Sequence, residues 1–314
     1  MIDGCRLCPR QCGAKRSAHA GFCGASDQLE ISSVCIHRGE EPPLNPIVNV
    51  FFSHCNLHCI YCQNHTISAA TVAPTLIHYR SIDALADQIC SLFSTLHTSL
   101  TTPLLGLVTP THYAHIIPTL LEAVSVRLSS LPSPLPTPTV VYNSGGYESV
   151  EVLRSLEGLI DIYLPDFKYM DSSLADRYSH APDYPEVATA ALQEMIRQVG
   201  TGLKIGDDGI AYRGLIVRHL VLPGHRGNSL AVLDHLSTLN TQHSSPSSLH
   251  LSLMAQYYPP RPGLPSPLDR TLTAEEYASV ADRFNALGFN GWLQELQSQN
   301  NYRPDFSQTD SPFT

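Results

Sequence analysis

From about residue 47 onward, short apolar runs alternate with longer amphipathic ones. The runs 47–52, 104–108, 139–142, 159–164, 215–221 and 249–253 are rich in branched and aliphatic side chains. That is the pattern of short strands buried on both faces. Between them, residues 82–96, 113–128, 149–156, 186–200 and 230–239 repeat apolar positions every three or four residues, which predicts helices with one buried face. Strands alternating with helices predict an α/β protein with a parallel sheet covered by helices. Six such units make a partial, open (β/α)6 TIM-like barrel rather than the closed eight-unit form.

Proline and glycine mark the boundaries. The linker Gly39-Glu-Glu-Pro-Pro-Leu-Asn-Pro46 interrupts regular structure, because proline fixes φ and lacks an N–H donor. It divides a cysteine-rich module at 1–40 from the barrel at 41–262, which is followed by a helical extension and polar tail at 263–314. Thr273-Ala-Glu-Glu276 is a capping box opening a helix to about Leu287. Residues 129–139 and 241–248, rich in Pro, Ser and Thr, are expected to be loops, and the polar tail from Gln297 is expected to fray.

The chain of 314 residues carries a net charge of −9 and shows no basic run, which argues against a nucleic-acid partner. No membrane span or signal peptide is evident, so a soluble, cytoplasmic protein is expected. Eight of the nine cysteines lie within the first 62 residues, a crowding that suits metal ligation better than a network of disulfides.

Ligands of parallel α/β proteins bind at the carboxyl ends of the strands. Here those ends carry Thr109-Pro-Thr-His112, Asn143-Ser-Gly-Gly146, Pro165-Asp-Phe-Lys168, Arg218-His219 and Met254-Ala-Gln256. The two glycines would permit close approach to a ligand. Arg218, inside an apolar strand, requires a carboxylate or anion as partner. Asp166 and Lys168 read either as a surface pair or as part of a site. His112, His219 and His225 each read as structurally satisfied histidines, weak as site residues, and Cys35 and Cys90 read as buried small hydrophobes.

The first strand runs into Cys55-Asn-Leu-His-Cys59-Ile-Tyr-Cys62. Three thiolates at C-x3-C-x2-C can hold three corners of a cubic [4Fe-4S] cluster and leave the fourth iron open, whereas clusters that only carry electrons take four cysteines. The competing reading is a zinc knuckle completed by His54, His58 or His65. Cys5, Cys8, Cys12 and Cys23 form a separate four-thiolate set suited to zinc or to a second cluster.

The cysteine loop, with Tyr61 before the third cysteine, resembles that of the radical SAM superfamily. Further runs are similar to the branch of pyruvate formate-lyase activating enzymes: Leu107-Val-Thr-Pro-Thr-His112, Asn143-Ser-Gly-Gly-Tyr-Glu-Ser149, Asp161-Ile-Tyr-Leu-Pro-Asp-Phe-Lys-Tyr169, Ala181-Pro-Asp-Tyr-Pro-Glu-Val-Ala188 and Arg213-Gly-Leu-Ile-Val-Arg-His-Leu-Val-Leu-Pro-Gly-His225. The resemblance implies S-adenosylmethionine bound at the open iron, reductive cleavage to a 5′-deoxyadenosyl radical, and hydrogen abstraction from a substrate. It implies Tyr61 beside the adenine, Thr109 and Thr111 near the methionine amino group, and Asn143 and Ser144 at the ribose. Asp166 and Lys168 match an acid–base pair, Arg218 a basic strand residue and Gln256 an adenosine contact, with Lys168 and Arg218 as candidate catalytic groups. An electron donor such as flavodoxin or ferredoxin is implied too, and a glycyl-radical protein is one candidate substrate. Three features depart from that branch: Thr-Pro-Thr replaces a Gly-Gly-Glu run, Tyr142 replaces an acid, and Gly106 stands where a polar residue is usual. A non-catalytic iron–sulfur or zinc protein is the alternative class.

Overall fold

The computed structural model describes residues 4–96, 103–242, 248–301, 303–308 and 311–313. Its sheet begins earlier than the alternation of apolar runs suggested. Ile31–His37 forms β1, antiparallel to β2 (Ile47–Phe52). The strands continue with β3 (Leu104–Val108), β4 (Thr139–Ser144), β5 (Ile162–Pro165), the short β6 (Lys204–Ile205), β7 (Ala211–Leu220), β8 (His250–Met254) and β9 (Asn290–Leu293). The order is β1-β2-β3-β4-β5-β7-β8-β9, with β6 an antiparallel strand on β7. From β2 to β9 all neighbours in that order are parallel, so their carboxyl ends emerge on one side. This is the expected open barrel with one more parallel strand, β9, in the stretch expected to be helix and tail.

The helices follow from burial. In α2 (Ile82–Leu96), Leu85, Ala86, Ile89, Cys90, Phe93 and Leu96 make one buried face. The others are α1 (His65–Ser68), α3 (Ile117–Ser129), α4 (Val150–Ser155), α5 (Ser172–Ser179), α6 (Tyr184–Val199), α7 (Arg226–Gln242) and α8 (Ala274–Ala286). α5 is short and polar overall, burying Ala175, Tyr178 and Ser179; Asp171 starts it, its carboxylate accepting from the Ser173 and Leu174 amides. At α8 the capping box forms as expected, with Thr273 Oγ1 accepting from Glu276 N and Glu276 accepting from Thr273 N. The loop expected at 241–248 lies mostly outside the described residues, and α7 extends to Gln242. Cys35 and Cys90 are buried. Among the described residues, no helix is long and apolar enough to cross a membrane.

The tail expected to fray instead folds back. Phe306 lies edge-on to Phe51 (ring centroids 5.4 Å apart), and Phe313 packs on His37 (4.4 Å). An open barrel leaves Phe51 and Val108 without a facing strand, and the tail's phenylalanines join that apolar cluster.

Candidate metal and cofactor site

β2 delivers the chain into the cysteine loop at Ser53. His54 takes φ 73° there and anchors the turn with both ring nitrogens: Nε2 lies 2.6 Å from Glu30 Oε2 and Nδ1 3.0 Å from the Ala69 carbonyl. With both nitrogens engaged, His54 is not placed to complete a zinc knuckle. His58 is stacked on Phe22, with ring centroids 4.6 Å apart. Among the described residues, no three His, Cys, Asp or Glu side chains gather into a single-ion cage. Such a cage would need sulfurs about 3.8 Å apart, from Zn–S bonds of about 2.3 Å in a tetrahedron.

Cys55, Cys59 and Cys62 face one cleft of about 210 Å³ at the carboxyl ends of the strands. Each sulfur has a nearby donor. Leu57 N lies 3.4 Å from Cys55 Sγ, Ser179 Oγ 2.9 Å from Cys59 Sγ, and Ser68 Oγ 3.2 Å from Cys62 Sγ. Burial pushes the Cys55 and Cys59 thiols above their ordinary values, with neighbouring sulfurs adding to the shift. Such thiols are poor nucleophiles by themselves, whereas a metal would deprotonate them. The donor set fits a three-cysteine cluster.

Tyr61, Thr109, Asn143, Ser144, Asp166, Lys168, Arg218 and Gln256 line the same cleft. Lys168 Nζ meets Asp166 Oδ2 at 2.5 Å. Burial alone would lower the Lys168 value, but the Asp166 carboxylate outweighs it and keeps the ammonium charged. Thr109 holds φ 59°, an unusual conformation for a β-branched residue, and its N–H donates to the Asn143 carbonyl at 2.8 Å. Gln256 ties strand ends together: its carbonyl accepts from Gln63 Nε2 (2.9 Å) and its side-chain oxygen from Gln294 Nε2 (2.7 Å).

Thr111 stands apart from the cleft, buried, with its hydroxyl donating to Glu148 at 2.6 Å. The glycines expected to admit a ligand also serve the protein's own packing, and Gly145 lines the cleft. A Cβ on Gly146 (φ 77°) would lie 2.2 Å from the Asp166 carbonyl, and one on Gly145 2.8 Å from Leu57. Gly106 works in the same way: a Cβ there would lie 1.9 Å from Oδ1 of Asn49, its register partner on β2. The polar group missing from β3 is thus supplied by its neighbour, a substitution across strands that no single-segment pattern displays.

Arg218 finds its carboxylate partners in the linker. Its Nε donates to Glu41 Oε1 at 2.8 Å, and its Nη2 contacts both Glu41 Oε2 (2.5 Å) and Glu40 Oε2 (3.3 Å). Although burial opposes it, the guanidinium holds Glu40 down to about 2. The histidines singled out in the sequence are structural. His219 bonds Phe167 O (2.7 Å) and Ser229 Oγ (2.9 Å), His112 bonds Ser53 O (2.7 Å), and His225 bonds Tyr178 OH (2.8 Å). Burial lowers His112 to about 3 and His219 to about 4, so both are neutral.

In the N-terminal module, Cys5, Cys8 and Cys23 are buried and Cys12 is exposed. A Cβ at Gly21 would lie 3.1 Å from Cys12 Sγ and 3.9 Å from Cys23 Sγ, so these two sulfurs flank the glycine. Burial pushes the Cys8 thiol up to about 12, with Cys23 and Cys5 nearby adding to the shift.

Glu148 was not singled out in the sequence. It is buried, its oxygens accept from Thr111 (2.6 Å) and Tyr142 (3.1 Å), and burial raises its carboxyl to about 7. Its folded value exceeds its unfolded one, so the folded state holds the proton longer, and stability falls as pH rises from about 4.5 to about 7. Glu148→Gln is expected to remove this slope and gain about 3 kcal/mol over the wild type at pH 8, with little difference at pH 4. Urea unfolding at the two pH values measures it; equal slopes for both proteins would contradict the burial argument.

No family model matches the chain. An uncharacterized protein of Methanocaldococcus jannaschii is 27% identical over 289 residues, covering 91% of this chain and 76% of its own length. Among solved structures, a radical SAM methyltransferase from Sphaerobacter thermophilus superposes with TM-score 0.50 at 11% identity, over 79% of this chain and 66% of its own. Another, described as native anSMEcpe with bound AdoMet, gives TM-score 0.48 at 9% identity, over 74% of this chain and 57% of its own. This chain therefore spans less than two thirds of either solved structure. The likeness to the methyltransferase is one of fold: the chain shares the open α/β barrel of a radical SAM enzyme.

Proposed function

We propose that this protein is a radical S-adenosylmethionine enzyme, with a [4Fe-4S] cluster held by Cys55, Cys59 and Cys62. The observation that carries the reading is that three thiols, each with a nearby hydrogen-bond donor, face a cleft at the carboxyl ends of parallel strands. When bound, the cluster and S-adenosylmethionine together supply a 5′-deoxyadenosyl radical that abstracts hydrogen from a substrate.

The chain's own residues bind, orient and shield. Tyr61, Thr109, Asn143, Ser144 and Gln256 offer an aromatic edge and polar groups along the cleft. The Lys168–Asp166 ion pair presents a cation with its own carboxylate to the cleft, and Asn49 adds a polar group opposite Gly106. Phe313 and Pro304 of the tail line the same cleft and exclude water from part of it. Arg218, neutralised by Glu40 and Glu41, sets the wall and does not serve as an unpaired anion site. Cys5, Cys8, Cys12 and Cys23 would hold a second centre, and because no single-ion cage gathers among the described residues, an iron–sulfur cluster suits them better than zinc.

The substrate is a separate question. The sequence resemblance makes a glycine Cα–H of a partner protein one candidate hydrogen donor, while Thr109-Pro-Thr111 in place of the Gly-Gly-Glu run argues against it. A small ferredoxin or flavodoxin would supply the electron.

Anaerobic reconstitution with iron and sulfide tests the reading. The expected result is a [4Fe-4S] signal that changes on adding S-adenosylmethionine, with 5′-deoxyadenosine released after reduction. A cluster that neither binds nor cleaves S-adenosylmethionine would instead identify a non-catalytic carrier. Deuterium transfer into 5′-deoxyadenosine from labelled candidates would identify the donor.

A further inference from the structure

We propose that Ser179 is a positioning residue for the iron–sulfur centre: its hydroxyl, oriented by a buried tyrosine relay, donates to the Cys59 sulfur and raises the centre's reduction potential. This rests on the cluster reading above and assigns the electronic tuning of that cluster to particular side chains.

Ser179 is the last residue of α5, and its Oγ lies 2.9 Å from Cys59 Sγ. Tyr169 OH lies 2.8 Å from Ser179 Oγ, and Tyr61 OH lies 2.6 Å from Tyr169 OH. All three side chains are buried. Each hydroxyl has one proton to give. A sulfur bonded to iron has none, so it can only accept. Ser179 then spends its proton on Cys59 and accepts from Tyr169, which in turn accepts from Tyr61. The relay has one direction, fixed by the metal end.

Reduction adds negative charge to the cluster and its ligand sulfurs. A donor aimed at one of those sulfurs favours the reduced form over the oxidised one, and hydrogen bonds to sulfur are among the features that set such potentials. Burial keeps this interaction from being weakened by water. The other two sulfurs have more distant donors, at 3.4 Å for Cys55 and 3.2 Å for Cys62, so the largest single contribution is assigned to Ser179.

The N-terminal module fixes where Ser179 sits. Arg10 Nη2 donates to the Ser179 carbonyl at 3.1 Å, its Nη1 contacts the His180 carbonyl, and its Nε donates to the Asn56 carbonyl at 3.0 Å. One guanidinium from between Cys8 and Cys12 therefore joins the end of α5 to the cysteine loop. Its plane is packed by Phe22 at 4.1 Å and Tyr147 at 5.0 Å.

The test is EPR-monitored potentiometry of the reconstituted full-length protein, with iron content measured for each sample. Ser179→Ala is expected to assemble the cluster and shift its midpoint to more negative potential. The reduced-to-oxidised ratio at a fixed potential should fall about tenfold, equivalent to about 59 mV for one electron. Ser179→Thr, which keeps the hydroxyl, is expected to restore the wild-type midpoint, and Tyr169→Phe to give a smaller shift of the same sign. A fully loaded Ser179→Ala protein with an unmoved midpoint would overturn the assignment to Ser179 alone. So would a Ser179→Thr protein shifted as far as the alanine variant. If wild-type protein assembles no [4Fe-4S] cluster, the cluster reading itself fails, and this inference fails with it.

Discussion

Cys59→Ala is expected to abolish cluster assembly, with iron and sulfide content at the loop falling to background and S-adenosylmethionine cleavage lost. Cys55 and Cys62 alone would hold two corners of a cube, and His54 cannot replace the lost sulfur, because both its nitrogens are engaged by Glu30 and Ala69. The variant also leaves the Ser179 hydroxyl without its sulfur acceptor in a buried setting, at a cost of about 1–3 kcal/mol. Cys59→Ser separates the two effects, since its oxygen can still accept from Ser179 while being a poor ligand for the cluster. It is expected to fold as the wild type does and still lack the cluster. Full iron loading and turnover in Cys59→Ala would show that the loop does not hold the catalytic centre.

Arg218→Ala is expected to destabilise the chain by about 3–5 kcal/mol at pH 7, because it strands buried Glu41 and leaves Glu40 with His37 Nε2 at 3.6 Å in place of the guanidinium. The side chains of Glu40 and Glu41 are only 7% and 2% exposed, so solvent cannot replace the guanidinium. The loss should depend on pH in a definite direction. Glu40 is held at about 2, below its ordinary 4.5, so its contribution is complete above about 4.5 and fades as pH falls toward 2. In the variant, Glu40 can escape the penalty by taking up a proton. The gap between wild type and Arg218→Ala should therefore narrow near pH 3. Urea unfolding at pH 7 and pH 3 measures it, and a gap of constant size would mean that packing, not charge, dominates.

Local chemistry made much of this molecule readable in one dimension. Apolar runs marked the strands from β2 to β5 and the parallel core of β7 and β8, because a strand buried on both faces needs no partner to be recognised. Thr273 announced a helix start through its capping box with Glu276, where the bonding partners are local. The cysteine loop stood out for the same reason: three ligands lie within eight residues, and their spacing is itself the signal. The carboxyl-end residues Thr109, Asn143, Asp166 and Gln256 could be named from their positions after apolar runs, and the barrel gathers them around one cleft.

What escaped such reading depends on contacts between distant segments. Arg218 announced a need for a carboxylate, yet Glu41 lies 177 residues away, in a linker that carries no strand or helix pattern pointing to it. Ser179 and Cys59 are 120 residues apart, and nothing in the polar sequence of α5 marks its last hydroxyl as a sulfur donor. Asn49 became a cleft residue because β2 and β3 align it with Gly106, and Thr111 left the cleft for Glu148. Phe306 and Phe313 ordered a tail whose composition reads as polar, since an unclosed barrel had apolar surface to cover. Residue types and spacing thus established the parallel strands β2 to β5, β7 and β8, the longer helices and the triad of thiols, all set by forces acting within a few residues. Partner choice, register and closure depended on which remote groups the folded chain brought within hydrogen-bonding or van der Waals distance.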